Sequence, residues 1–193
     1  MELTYDNIKK VMKSKGYKFF EGNLNINRIG IRTTQKATNN FDDYFVLLWE
    51  EDGKQNIFID KNFTTDPGLY YLQKELLNPS GCAILAPGQY LGLHIIGLHR
   101  GQYEAFVQNK ACTIYRDRNL DNVLDCNPAS IAIGVYGINQ HHGYDSLRVN
   151  KNSAGCQVHR YKKDLAFVLK IAKKSAKIYG RSFTYTLLEE KDF

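Results

Sequence analysis

Gly137-Ile138-Asn139-Gln140-His141-His142-Gly143, followed by Ser153-Ala154-Gly155-Cys156-Gln157-Val158, is the stretch on which the reading of this chain turns. It sets a histidine at the end of an apolar strand and a cysteine in a turn of small residues. A nucleophilic thiol needs a base beside the sulfur and uncovered amides around the carbonyl it attacks. Gly155, with the small Ser153 and Ala154, leaves such amides open. Cysteine-dependent acyl transfer or peptide cleavage is the first expectation.

Outward from this stretch, the pattern predicts a mainly β chain of the α+β class. Ile8, Val11 and Met12 recur at helical spacing over 4–15, with Thr4 as cap and Gly16 as stop. Residues 25–32 alternate like a strand, 33–40 read as a polar loop, and 44–49 form an apolar run. An Asp52-Gly53 turn then returns the chain through a strand at 56–60. Further strands are expected at 82–85, 90–98, 103–108, 111–116, 130–141 and 182–188. One long helix is expected at 165–179, burying Leu165, Val168, Leu169, Ala172 and Ala176. With neither an internal repeat nor a low-complexity linker, residues 1–193 read as one domain. Residues 1–20 form its N-terminal helical extension and 162–180 its C-terminal helix.

Composition is that of a globular domain, 43% hydrophobic and 24% charged, with 13 tyrosines and 10 phenylalanines for a β-rich core. The net charge of +6 suits an anionic partner. Its densest cluster, Lys162 to Lys177, reads as the solvated face of a helix, and no base-stacking module accompanies it, so nucleic acid is not an expected partner. No run approaches the ~20 apolar residues of a membrane span. No secretory leader opens the sequence, which implies synthesis in the cytoplasm. Cys82, Cys112, Cys126 and Cys156 are dispersed without a C-x-x-C pair, consistent with free thiols in a reducing compartment.

Straight alternation would put Val135, Gly137, Asn139 and His141 on one face and Ile138, Gln140 and His142 on the other. Only one of the paired histidines then faces the thiol, and both stand as candidate bases for Cys156. The base takes the thiol proton or shares it as an ion pair, which depresses the cysteine pKa. The amides of Gly155 and Cys156 would hold the oxyanion, with Ser153 orienting the turn. Asn139, Asp145 or a backbone carbonyl can orient the imidazole.

The His-Gly and Ser-x-Gly-Cys elements resemble the active-site signature of L,D-transpeptidases of the YkuD type. This resemblance implies a β-sandwich or barrel with an N-terminal helix and a helix after the catalytic cysteine. It implies peptidoglycan stem peptides as substrate and no cofactor. The family's histidine follows an apolar strand end, which favours His141, whereas its His-Gly pair fits His142-Gly143. Pro87-Gly88-Gln89-Tyr90 is similar to a family segment leading toward the site, placing Tyr90 beside substrate. The family carries an arginine two residues after the cysteine, where this chain has Val158; Arg160 lies two further on as the nearest replacement. Over nearly its whole length the chain resembles uncharacterised phage and bacterial proteins that end in Ser-Ala-Gly-Cys-Gln. That pattern suggests a phage lysin or virion component acting on the cell wall.

His94 and His99, five apart, fall on opposite faces of a strand and lack a carboxylate at a metal-binding offset, so no metal is expected. His99 reads instead as a residue lining the substrate cleft, with Asn139 and Arg160. Asp117, Asn119 and Asp121 resemble the first half of a calcium loop. The loop lacks glycine at Asn122 and a terminal Glu at Pro128, so Asx turns are the preferred reading. The competing functional class is a non-catalytic phage structural or wall-binding module that keeps the fold.

Overall fold

The computed structural model describes residues 1–33 and 37–193. Residues 34–36 of the polar stretch expected at 33–40 lie outside the described residues. Thr4 is extended and its hydroxyl accepts from Asn7 N at 3.3 Å, which starts α1 (Tyr5–Ser14). The chain continues through β1 (Asn27–Arg32), β2 (Asp43–Glu51), β3 (Lys54–Thr64), a short α2 (Leu69–Gln73) and β4 (Cys82–Leu85). Then come β5 (Gly88–His99), β6 (Tyr103–Gln108), β7 (Cys112–Asp117), β8 (Ala132–Gly134) and β9 (Gln140–His142). After β10 (Gln157–His159) the long α3 (Lys162–Tyr179) leads to β11 (Phe183–Glu189).

Eight strands close a barrel in the order β1-β11-β5-β6-β9-β10-β3-β2, and β4, β7 and β8 form a separate small sheet. The fold is thus mainly β with flanking helices. Alternation along β1 decides its two faces. Ile29 and Ile31 pack outward with Val46, Leu48 and Leu188 against Ile8, Val11 and Met12 of α1. Each such fully buried side chain contributes about 1.5–3 kcal/mol relative to exposure. α3 adds Leu165, Val168, Leu169 and Ala172 to the cluster that contains Phe45, Phe63, Phe106 and Tyr185. Among the described residues, no helix is long and apolar enough to cross a membrane.

The barrel also encloses a polar chain. His159 Nδ1 lies 2.7 Å from Asp60 Oδ2, and its Nε2 lies 2.7 Å from Gln140 Nε2. Gln140 Oε1 accepts from Arg28, whose guanidinium stacks 3.5 Å from the Phe106 centroid and faces His94 Nδ1. His94 Nε2 meets Ile138 O at 2.8 Å. Apart from Arg28 Nε, which has no partner among the described residues, these buried groups bond to one another, so the network fixes the register of β9 and β10.

One expected strand is broken. The run 130–141 is two short strands in different sheets, β8 and β9, separated by residues 135–139. The Gln108 side chain replaces the missing strand partner. Its Oε1 accepts from Tyr136 N at 2.9 Å and Ile138 N at 2.8 Å, while Nε2 donates to Gly134 O at 3.2 Å. Gly137, at φ 74°, turns the backbone within the break. The simple face alternation predicted across this segment therefore fails, and Tyr136 and Ile138 line the same cleft as Val135 and Asn139.

Candidate active site

Strands β9 and β10 pair in parallel, Gln157 opposite Gln140 and Val158 opposite His141. Gln157 N donates to Asn139 O at 2.8 Å, so Cys156 falls opposite Asn139 at the entrance of the ladder. Paired residues of parallel strands point to the same side. That places Cys156, Asn139 and His141 on one face, and all three line a cleft of about 440 Å³. His99, Arg100, Arg116 and Cys82 complete its chemically active walls. Among the described residues, no Asp or Glu lines it.

The two adjacent histidines are divided as the pleat requires. His141 Nδ1 lies 2.9 Å from the carbonyl of His142. A carbonyl only accepts, so Nδ1 carries the proton and Nε2 keeps its lone pair. The Tyr103 hydroxyl donates to the same carbonyl at 3.3 Å. The orienting group left open among Asn139, Asp145 and a backbone carbonyl is thus the His142 carbonyl. Asp145 instead accepts from Lys162 N at the start of α3. The His142 ring points away from the cleft, stacked on Tyr103 at 4.0 Å, with Nδ1 accepting from Tyr144 N at 3.2 Å. Geometry therefore puts His141, not His142, on the wall of the cleft that Cys156 also lines.

Asn139 ties the cleft together. Its Oδ1 accepts from Gln108 N at 2.8 Å, which turns Nδ2 toward His99 Nδ1 at 3.2 Å. His99 lies face to face with His141. Burial lowers the pKa of His141 to about 3 and that of His99 to about 4. The Cys156 thiol donates to Gly137 O at 3.3 Å, and burial pushes its pKa up, partly offset by the Asn139 amide and Arg100. The expected depression of the cysteine pKa by an imidazolium is therefore replaced by a resting pair of neutral thiol and neutral imidazole.

The turn before Cys156 is built on contacts that explain its small residues. Ser153 Oγ donates to Cys156 O at 2.9 Å and accepts from Gly155 N at 3.1 Å. The Gly155 amide, expected at the oxyanion, is thus occupied. Among the described residues the Cys156 amide has no intrachain acceptor and is the turn's open donor. Gly155 has φ 123°, and a Cβ there would lie 2.3 Å from Ala83 O. From behind, Gly68 N donates to Ser153 O at 2.9 Å. The preceding Asp66 is held by Arg32 Nε at 3.0 Å, so the Thr64–Gly68 segment anchors the turn before Cys156.

Two expected cleft residues lie elsewhere. The Tyr90 hydroxyl donates to Ala86 O at 2.6 Å within the core, and Tyr90 does not line the cleft. Arg160 donates to Ser146 O at 3.0 Å and stacks on Tyr161, also outside it. The arginines of the cleft are Arg100, at the β5–β6 turn, and Arg116 on β7. Arg116 is held by Gly81 O at 3.0 Å and by the Tyr136 ring at 4.8 Å. Neither was legible in sequence, because only the folded chain brings the β5–β6 turn and β7 to the cleft that Cys156 lines. His94 is buried in the barrel rather than beside His99, and among the described residues no three His, Cys, Asp or Glu side chains form a ready metal set. No protein-family model, curated protein or solved structure matches the chain.

Proposed function

We propose that the chain is a cysteine-dependent acyl-transfer enzyme of L,D-transpeptidase-like type, acting on peptidoglycan stem peptides. The observation that carries this reading is the parallel register of β9 and β10. It sets Cys156 and His141 on one cleft face while His142 O leaves His141 Nε2 free. The substrate class comes from the resemblance of the His-Gly and Ser-x-Gly-Cys elements, with the excess of basic charge suiting an anionic wall.

In the first step His141 Nε2 accepts the thiol proton as Sγ bonds to the peptide carbonyl carbon. The Cys156 amide and the cationic walls of Arg100 and Arg116 stabilise the developing oxyanion; loss of one such donor costs about 2.7–4 kcal/mol. The C–N bond then breaks, and the departing amine takes the proton from His141. The thioester is next attacked by water, giving hydrolysis, or by an amine, giving transpeptidation. In either case His141 accepts the attacking group's proton and returns it to sulfur. The neutral resting pair makes proton transfer part of the attack rather than a step before it.

The competing reading, a wall-binding or phage structural module, draws on the thiol's hydrogen bond to Gly137 O instead of an imidazole. Incubation of wild-type and Cys156→Ala protein with purified sacculi, followed by mass spectrometry of muropeptides, separates the two. Fragments or cross-links that require Cys156 support the enzyme. Identical profiles, with the protein retained on the sacculi, support the binding module.

A further inference from the structure

Asp117, Asn119, Asp121 and Asp125 are set along the loop that leaves β7. Counted from Asp117, they occupy positions one, three, five and nine of the spacing by which a calcium loop presents oxygen, with the Val123 carbonyl at seven. The side chains of Asn119, Asp121 and Asp125 converge, and the Asp117 carboxylate bonds the backbone of Asp125. Asn119 Nδ2 donates to Asp121 Oδ2 at 2.9 Å and to Asp125 Oδ2 at 2.9 Å, so two carboxylates from different parts of the loop share one small donor. Among the described residues the loop holds no ready set of three metal-binding side chains, and that amino group sits between two of its carboxylates. A half-turn of the amide exchanges its nitrogen for an oxygen.

The independent sign is Asp117 itself. The residue is 1% exposed, Oδ2 accepts from Asp125 N at 3.1 Å, and buried Oδ1 has no partner among the described residues. A buried carboxylate oxygen without a donor is destabilising. A dication at the centre of the loop would supply the missing partner and neutralise the crowded charge.

We propose that residues 117–125 form a calcium site, ligated by the carboxylates of Asp117, Asp121 and Asp125, Asn119 Oδ1 and the Val123 carbonyl. All donors are oxygen, which selects a hard cation. An irregular loop that offers carboxylates, an amide oxygen and a backbone carbonyl suits the 6–8 ligands of Ca²⁺ better than the strict octahedron of Mg²⁺. Asn122 and Pro128 stand where the strongest loops have Gly and Glu, so affinity falls at the weak end, Kd about 10⁻⁴–10⁻³ M. The site is independent of what Cys156 does. It adjoins the cleft, however, since Asp117 pairs with Cys82 across β4 and β7, and Cys82 and Arg116 both line the cleft. Calcium would thus brace the wall that carries Arg116.

The test is calorimetric titration of the chelator-treated full chain with CaCl₂ or MgCl₂, with thermal unfolding alongside. The expected result is one Ca²⁺ per chain and a Tm rise of several degrees, both much smaller with Mg²⁺. Asp121→Ala, at a half-buried position, should abolish the response, and Asn119→Asp should keep or strengthen it. No calcium response at 5–10 times the weak-end Kd, an equal response to Mg²⁺, or an unchanged response in folded Asp121→Ala would each overturn the site.

Discussion

The imidazole of His141 lies on that of His99, centroids 4.0 Å apart and planes 21° apart. Two cations would not stack this way in a buried wall; burial lowers both rings, His141 to about 3 with His99 lowering it further, and His99 to about 4 with Arg100 and His142 adding to the effect. His99 is held in turn by Asn139 at 3.2 Å. The pair therefore keeps His141 neutral and oriented.

A neutral resting pair has a distinct pH signature. Turnover should keep its base across mildly acid pH, because His141 protonates only near about 3. Alkylation of Cys156 by neutral iodoacetamide should instead rise only above the ordinary thiol range, since burial raises the Cys156 pKa. A plateau of fast alkylation near pH 5 would show a thiolate–imidazolium pair and contradict this arrangement.

Stability should carry the same signature. His141 has its folded pKa depressed from 6.5 to about 3, so the unfolded chain binds the extra proton between those values. The neutral ring's contribution is present above about pH 6.5 and lost as pH falls toward about 3. Urea denaturation at pH 7 and pH 4.5 should show a larger loss in wild type than in His141→Gln. Equal losses would place the acid sensitivity elsewhere.

Gly155→Ala tests the turn. Its Cβ would meet Ala83 O at 2.3 Å at a backbone φ of 123°, so both clash and strain apply. A cost of about 1–3 kcal/mol in stability is expected, with loss of Cys156-dependent activity even where the protein remains folded. Gly16→Ala, at φ 71° with nothing near its Cβ, is the control and should leave activity unchanged.

Arg100 and Arg116 make the cleft cationic, with no carboxylate on its walls among the described residues. Cys156 should therefore react with iodoacetate faster, relative to iodoacetamide, than free N-acetylcysteine does. A several-fold rise in that ratio is expected, falling in Arg100→Gln and Arg116→Gln. A ratio equal to that of the free thiol would show that the arginines do not act on anions at the sulfur.

Much of this architecture was legible in residue patterns, and the rest has identifiable reasons. The Thr4 cap, the Ile8-Val11-Met12 stripe and the buried face of α3 report burial directly, so their elements fall where periodicity puts them. The strand at 130–141 breaks because a side chain from another strand, Gln108, takes over its hydrogen bonds, a contact that spacing does not encode. The signature segments offered both His141 and His142 beside Cys156 as candidates. The choice between the histidines needed the register of β9, and the cleft arginines needed the packing of the small sheet on the barrel mouth. Tyr90 and Arg160 were misplaced because proximity in a motif does not fix the direction of a side chain.

The most direct test of the proposed chemistry is intact-protein mass spectrometry after incubation with a muropeptide bearing the stem peptide, with acid quenching. Wild-type protein should gain the mass of one acyl fragment, removable by hydroxylamine and mapped to Cys156, while Cys156→Ala should gain none. An adduct that forms equally on the Cys156→Ala protein, or no adduct while wild-type protein still releases fragments from sacculi, would contradict a thioester on Cys156.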